Sequence, residues 1–334
     1  MPNQRPLIGR GERAPDFALP RSSGADGPVR FYGLVGGRPT VLLFAGPAPD
    51  AHLADLADLA ERLGSVNEEL DVLVVTTQPS PPLPDAFHDP EGHVHAAYGV
   101  TVERPVAVVL DHNVRVVDAL AVGDVDVAAA SILDLLPRWS DGHVEVAPRL
   151  APVLFVPDAL APERCEQLIE RWATEGSVET GVETIVEGAR AEATDVRRKR
   201  RRDHTVEDQQ LLRELTRHIG DRVFPELAKA FAFSAGGFEG FKIGCYTAED
   251  RGHFEAHRDN LSSATAHRRF GLTLNLNDDY DGGELRFPEY GPTRYRPAVG
   301  EALVFSGTHL HEVLPVQRGR RFVLLSFVLA AQRR

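Results

Sequence analysis

Apolar positions in the first 140 residues form short unbroken runs separated by a helix-period stripe. Residues 40–44 (Thr-Val-Leu-Leu-Phe) and 71–75 (Asp-Val-Leu-Val-Val) have the pattern of strands covered on both faces. Between them Leu53, Leu56, Leu59 and Leu63 recur at helical spacing and predict an amphipathic helix. Residues 106–110 and 114–117 flank Asp111, His112 and Asn113, a turn-prone trio that predicts a hairpin, and 125–136 reads as a closing helix. This order, β-α-β then β-β-α, points to an α/β sandwich. At 137–152 the periodicity is broken by Ser140, Asp141, Gly142 and prolines, the composition of a linker. A strand at 152–156 and a helix at 162–172 follow, the helix burying Cys165, Leu168, Ile169 and Trp172. A second helix over 206–224 carries Leu211, Leu212, Leu215, Ile219 and Val223 on one side. From Phe238 onward eight short strands are predicted, at 238–246, 254–258, 269–276, 284–287, 293–295, 302–305, 311–316 and 321–329. Turn signals such as Asp281-Gly-Gly283, Gly291-Pro292 and Gly319 separate them, which suggests a jelly-roll or double-stranded β-helix. The expected organisation is an α+β multidomain chain: an α/β domain over 1–140, a linker over 141–151, and a β-helix domain with flanking helices over 152–334.

Composition narrows the class. The chain has 334 residues, 43% of them hydrophobic, and a net charge of −12, so attraction to nucleic acid or an anionic bilayer is not favoured. Its cysteines are Cys165 and Cys245, without a CxxC or a framework of spacings, which fits a reducing compartment. The opening Met-Pro-Asn-Gln-Arg-Pro has no apolar signal region, and no run of 18 apolar residues occurs. A cytoplasmic protein is expected.

The chemistry gathers in the strand series. His257 and Asp259 stand two apart on a predicted strand, so both aim to one face. His311 follows 52 residues after Asp259, room for about four more strands before the chain returns. Two histidines and one carboxylate on one face make the facial triad of non-haem Fe(II) oxygenases, which leaves coordination positions open. Past His311 the turn at Gly319 sends the next strand back beside it, and Arg321 opens that strand. A guanidinium is the side chain best shaped to receive a carboxylate in two-point fashion. A zinc-peptidase reading fails because His253-Phe-Glu-Ala-His257 lacks glutamate immediately after its first histidine. His253, His267 and His309 read as supporting or surface residues, Arg318 and Arg320 as solvated, and Cys245 as a buried filler.

At these residues the chain resembles the prolyl 4-hydroxylase-type branch of the Fe(II)/2-oxoglutarate dioxygenases, over about 150–330. His257 and Asp259 match the family's HxD; His311, Pro315, Val316, Gly319 and Arg321 match its distal histidine and the segment after it. Asn277 through Gly282, Gly283 and Glu284 match its Asn-x-x-x-x-Gly-Gly-Glu turn, and Gly300 to Phe305 its strand before the distal histidine. Asn275 stands where the family often has tyrosine. Tyr246 resembles the tyrosine that reaches the co-substrate carboxylate. The resemblance implies Fe(II) held by His257, Asp259 and His311, 2-oxoglutarate received by Arg321 and Tyr246, O₂ as oxidant, and ascorbate as a candidate reductant. It implies hydroxylation of a small molecule or peptide with release of succinate and CO₂. Retention of Asp259 speaks against halogenation. The alternative reading is a non-catalytic binding or regulatory protein.

Within 8–137, Gly11 to Leu19 (Gly-Glu-Arg-Ala-Pro-Asp-Phe-Ala-Leu), Asp89-Pro-Glu-Gly92 and Tyr98-Gly-Val100 resemble the peroxiredoxin-like branch of the thioredoxin superfamily. Arg104-Pro105 stands where that fold usually places a cis-proline. The stretch 45–53, where a peroxidatic cysteine would lie, reads Ala-Gly-Pro-Ala-Pro-Asp-Ala-His-Leu, with no Cys, Ser or Thr. Asp50 and His52 there read as a capping acid and a solvated imidazole. A redox-inactive domain serving dimerisation, substrate docking or stability is expected. Finally, 197–202 is a run of six basic residues, read first as a solvated interaction segment and second as a dock for an acidic substrate.

Overall fold

A computed structural model describes residues 6–22, 27–45, 50–66, 70–78, 85–101, 105–136, 149–180, 182–186, 189–193, 195 and 197–331. The chain divides into two compact units, Met1–His143 and Val144–Arg334, and the architecture is mixed α/β throughout.

In the first unit the order is β1 (Thr40–Ala45), α1 (Asp50–Val66), β2 (Asp71–Thr76), β3 (Phe87–His88), α2 (His93–Tyr98), β4 (Val106–Leu110), β5 (Val116–Ala121) and α3 (Val125–Leu135). One sheet runs β3-β2-β1-β4-β5, with β1 parallel to β2 and antiparallel to β4. Every residue of β1 and β4 is buried, as their unbroken apolar runs require. Val41, Leu43 and Val109 pack against Leu53, Leu56, Leu59 and Leu63 of α1, and Leu42, Phe44 and Val108 against Phe31, Val94 and Tyr98. The short helix α2 was not expected from periodicity; it spans little more than one turn and is bracketed by Gly92 and Gly99, both in the left-handed region. The Arg104–Pro105 bond and the side chains of Asp50 and His52 lie outside the described residues.

The second unit contains β6 (Val153–Val156), α4 (Pro162–Glu175), β7 (Val178–Glu179), β8 (Lys199–Arg200), β9 (Arg202–Thr205), α5 (Gln209–Phe231), β10 (Ala235–Phe238), β11 (Lys242–Thr247), β12 (His253–His257), β13 (Phe270–Asn275), β14 (Asp281–Gly282), β15 (Leu285–Arg286), β16 (Arg294–Tyr295), β17 (Ala302–Ser306), β18 (His311–Val313), β19 (Val316–Arg318) and β20 (Arg320–Ala330). A hairpin of Val182–Val186 and Ala189–Ala193 lies between β7 and β8. The larger sheet runs β6-β17-β13-β20-β11-β9-β7, with β10 also pairing β20; the smaller runs β8-β12-β18-β15-β16.

Strand alternation sorts the side chains. Phe322, Leu324, Leu272, Leu274, Ile243, Cys245 and Val304 face α4 and α5, joining Leu168, Leu215, Ile219 and Val223. Val323, Leu303, Phe305 and Tyr246 face the other way and join Leu285, Phe287, Tyr295 and Val313 of the smaller sheet. The two sheets therefore share one inner core, and the site lies on that side.

Three expectations are corrected. The strand over 238–246 is two strands, broken at Gly240, whose φ of +84° takes it out of extended geometry. Helix α5 continues through Pro225 to Phe231, because Leu227, wholly buried, and Phe231 extend its apolar side and outweigh one lost backbone bond. The basic run is only partly solvated: it folds into β8 and β9, with Lys199 buried and the Arg201 side chain 10% exposed, while Arg197, Arg198 and Arg202 stay exposed.

Candidate metal centre

His257 ends β12 and His311 opens β18, and the two are register partners across an antiparallel pair. Asp259, two residues beyond His257, is tied by its amide to the Gly307 carbonyl at 2.9 Å, in the chain that leads back to His311. One ligand atom from each of the three lies within 4.8 Å of the others, and among the described residues they are the group able to hold a metal ion.

The donor atoms are prepared for a cation. His257 Nδ1 donates to the Glu255 carbonyl (2.8 Å) and His311 Nδ1 to the His309 carbonyl (2.9 Å), since a carbonyl can only accept. Both Nε2 lone pairs are thereby freed, and they lie 3.6 and 3.7 Å from Asp259 Oδ1. Those distances are under the ~4.2 Å that two ligands about 2.1 Å from one ion can span. Burial pushes His311 down to about 4 despite the neighbouring Asp259 carboxylate, so the imidazole is neutral near pH 7. Asp259 Oδ2 is buried and has no hydrogen-bond partner among the described residues. A neutral His311 imidazole, a second imidazole nitrogen facing the same point and a buried carboxylate suit a divalent ion with mixed N/O ligands. Phe254 stacks on His257 with centroids 3.6 Å apart, and Phe305 packs at 4.5 Å from His311, so the walls are apolar.

Arg321 is 1% exposed, and among the described residues it makes no ion pair. Its Nε donates to Asn275 Oδ1 at 3.3 Å, while Asn275 Nδ2 donates to the Tyr280 hydroxyl (2.6 Å) and the Pro297 carbonyl (2.8 Å). A buried guanidinium with no carboxylate beside it is costly unless an anion joins it. Tyr246 is its cross-strand partner on β11, with the Arg321 Cζ 5.7 Å from the ring centroid. Neighbouring Arg318 and Arg320 are exposed, Arg318 pairing with Asp281 at 2.5 Å.

Residues 241–329 match the family model described as the 2OG-Fe(II) oxygenase superfamily. The chain carries a 2OG-Fe(II) oxygenase domain. The PKHD-type hydroxylase of Pseudomonas putida strain W619 is 37% identical over 102 residues, 30% of this chain and 41% of that protein. The chain thus spans about two fifths of the length of the curated relatives it matches. A solved prolyl-4-hydroxylase of Pseudomonas putida is 19% identical, covering 55% of this chain and 94% of that one, with a TM-score of 0.39. A peroxidoxin of Mycobacterium tuberculosis is 22% identical, covering 38% of this chain and 96% of that one, with a TM-score of 0.32.

Other parts of the 2OG-Fe(II) oxygenase domain were not legible as site residues. Arg258, between the two HxD positions, pairs with Glu289 (2.7 Å) and bonds the Thr308 carbonyl, while Glu289 accepts from the Leu310 amide (2.9 Å). This clamp joins the segments that carry His257 and His311. Gly271 on β13 lies against Asp259: a Cβ there would stand 2.9 Å from Asp259 Oδ2 and from the Phe305 ring. His253, His267 and His309 stay outside the cluster, bonded to the Arg197 carbonyl, to Glu239 and to Tyr290 respectively. Arg201, 40 residues before the matched region, reaches the Tyr246 hydroxyl. Its signal was the i, i+2 spacing of Lys199 and Arg201 in the basic run with Asp203 just after it.

Proposed function

We propose that this protein is an Fe(II)- and 2-oxoglutarate-dependent dioxygenase that hydroxylates an organic substrate, releasing succinate and CO₂. The observation that carries this reading is the convergence of two freed imidazole nitrogens with a carboxylate that has a partnerless buried oxygen. His257, Asp259 and His311 would hold the iron, which supplies the capacity to bind and reduce O₂. Arg321, buried and without an acidic partner, would receive the distal carboxylate of 2-oxoglutarate, and Asn275 fixes its fork from behind. Phe254, Phe287 and Phe305 exclude water around the histidines, so that charge on the co-substrate is met by fixed donors. In this reading the second unit is a double-stranded β-helix, supported by two sheets that share one inner core. The first unit is a thioredoxin-like domain without redox activity, supported by its sheet order and its lack of any cysteine. The similarity to PKHD-type hydroxylases supports hydroxylation as the reaction, on a prolyl or amino-acid, peptide or natural-product substrate.

The test is succinate formation from 2-oxoglutarate by the full chain reconstituted with Fe(II), compared with the same chain holding Zn(II). Fe(II)-dependent succinate is the expected result. A chain that retains Fe(II) yet neither binds nor consumes 2-oxoglutarate overturns the reading.

A further inference from the structure

Arg201, the residue before β9, forms a row with Tyr246 on β11 and Arg321 on β20. Tyr246 and Arg321 are register partners, and on the other side of β11 the pairing of Arg202 with Cys245 sets Arg201 beside Tyr246. All three lie on the inner face, because Cys245 and Phe322 take the helix-facing positions. The Tyr246 ring is approached by both cations, with Arg201 Cζ 5.5 Å and Arg321 Cζ 5.7 Å from its centroid.

The two arginines are held differently. Arg201 is gripped by Asp203, Nε to Oδ1 at 2.6 Å and Nη2 to Oδ2 at 2.8 Å, and its Nη1 donates to the Tyr246 hydroxyl at 3.1 Å. Gly244 makes the grip possible: a Cβ there would lie 3.0 Å from both Arg201 Cδ and Asp203 Oδ1. Lys199 adds a second cation 3.7 Å from the same carboxylate. A guanidinium can only donate, so the phenol oxygen of Tyr246 is an acceptor here and its own proton is left to bond elsewhere.

Resting on the function proposed above, we infer that Arg201 is a positioning residue for the co-substrate. Fixed by Asp203, it donates to the Tyr246 oxygen and thereby turns the Tyr246 O–H toward the dianion that Arg321 receives. The donated bond also polarises the phenol and makes it a stronger donor. Arg201 itself touches no co-substrate atom; its effect passes through one hydroxyl.

That route can be isolated by a double-mutant cycle. The readout is the Kd of 2-oxoglutarate for the Mn(II)-loaded full chain, measured by calorimetry without O₂, together with metal stoichiometry and Tm. Tyr246→Phe is expected to weaken binding about tenfold, and Arg201→Gln by a similar factor. In the Tyr246→Phe background, Arg201→Gln should add no more than about twofold. Arg201→Lys keeps a cationic donor and should recover part of the loss, and Lys199 remains to pair Asp203 in every variant. If Arg201→Gln costs the same factor in both backgrounds, or lowers Tm without changing Kd, the inference fails while the proposed function stands. A wild-type chain that holds metal but does not bind 2-oxoglutarate overturns both.

Discussion

His95 and His311 are both buried histidines held beside an aspartate, one in each unit, and their surroundings are opposite. His95 Nδ1 bonds Asp89 Oδ2 at 2.8 Å and Nε2 meets the Ala45 carbonyl at 3.1 Å; the same Asp89 oxygen accepts the Val94 and His95 amides that open α2. Both ring nitrogens are used, and the pair fastens a helix to the end of β1. His311 spends one nitrogen on a backbone carbonyl and points the other, with His257, at a carboxylate that still has an unpartnered oxygen. Residue type and burial are nearly the same in the two cases. What separates a fastener from a site is whether the donor and acceptor inventory closes within the protein.

The comparison breaks first at the ligands. His311→Ala or His257→Ala should abolish metal retention and any 2-oxoglutarate turnover while the chain stays folded, read by metal analysis beside a melting curve. Asp89→Ala should do the reverse, leaving metal stoichiometry intact and costing about 3 kcal/mol of stability, since it strands a buried imidazole and two amides. Equal metal loss in both variants would erase the distinction.

Next in size is the anion receptor. Arg321→Ala should weaken 2-oxoglutarate binding by roughly 30-fold to several-thousand-fold, as about 2–5 kcal/mol is lost when a buried charge pair is truncated. Arg321→Lys should recover part of this, and Arg318→Ala and Arg320→Ala should be close to silent. Anaerobic titration of the four variants decides it, and a loss that follows Arg320 would move the register of β20 by one.

A smaller effect is expected at Gly271. Gly271→Ala puts a methyl against Asp259 Oδ2 and should lower metal affinity by about 10- to 100-fold without removing a ligand. Gly33→Ala in the other unit, where a Cβ meets nothing within 4 Å, is the control. Competition with a chelator reads both.

The smallest expected signal is none at all. Burial pushes Cys165 up to about 11 and Cys245 up to about 12, so neither thiol should react with iodoacetamide at pH 8 until the chain is unfolded. Thiol peroxidase activity should be absent too, and activity persisting in a Cys165→Ser, Cys245→Ser double variant would reveal an unrecognised site.

Much of this was legible because hydropathy carried it. The leucine stripe of α1 sets apolar against polar positions, and the unbroken apolar runs of β1, β4 and β17 mark strands buried on both faces. His257 and Asp259 were marked by their i, i+2 spacing, and Arg321 by its place just after the Gly319 turn. The rest lacked contrast. In a run of six cations nothing in hydropathy marks Lys199 and Arg201 as the inward ones. The Arg258–Glu289 clamp joins residues 31 apart in sequence through strand pairing that charge alone does not encode. Proline at 225 is a strong stop in an isolated helix, and only tertiary burial of Leu227 overrides it.

Strand β20 lies at the middle of the larger sheet although it follows its neighbours β11 and β13 in sequence. A chain emerging from the ribosome therefore has His257, Asp259, His311 and most of its strands before it has the strand that joins them. Until residues 320–330 arrive, β11 and β13 each offer an open edge, a template for pairing with other chains. The β20 pairings that close the sheet span up to 95 residues, from Ala235 to Ala330, which sets a slow folding step. Assembly of this domain is thus expected to wait for residues 320–330, and truncation before Arg320 should yield aggregate rather than a partly active fragment.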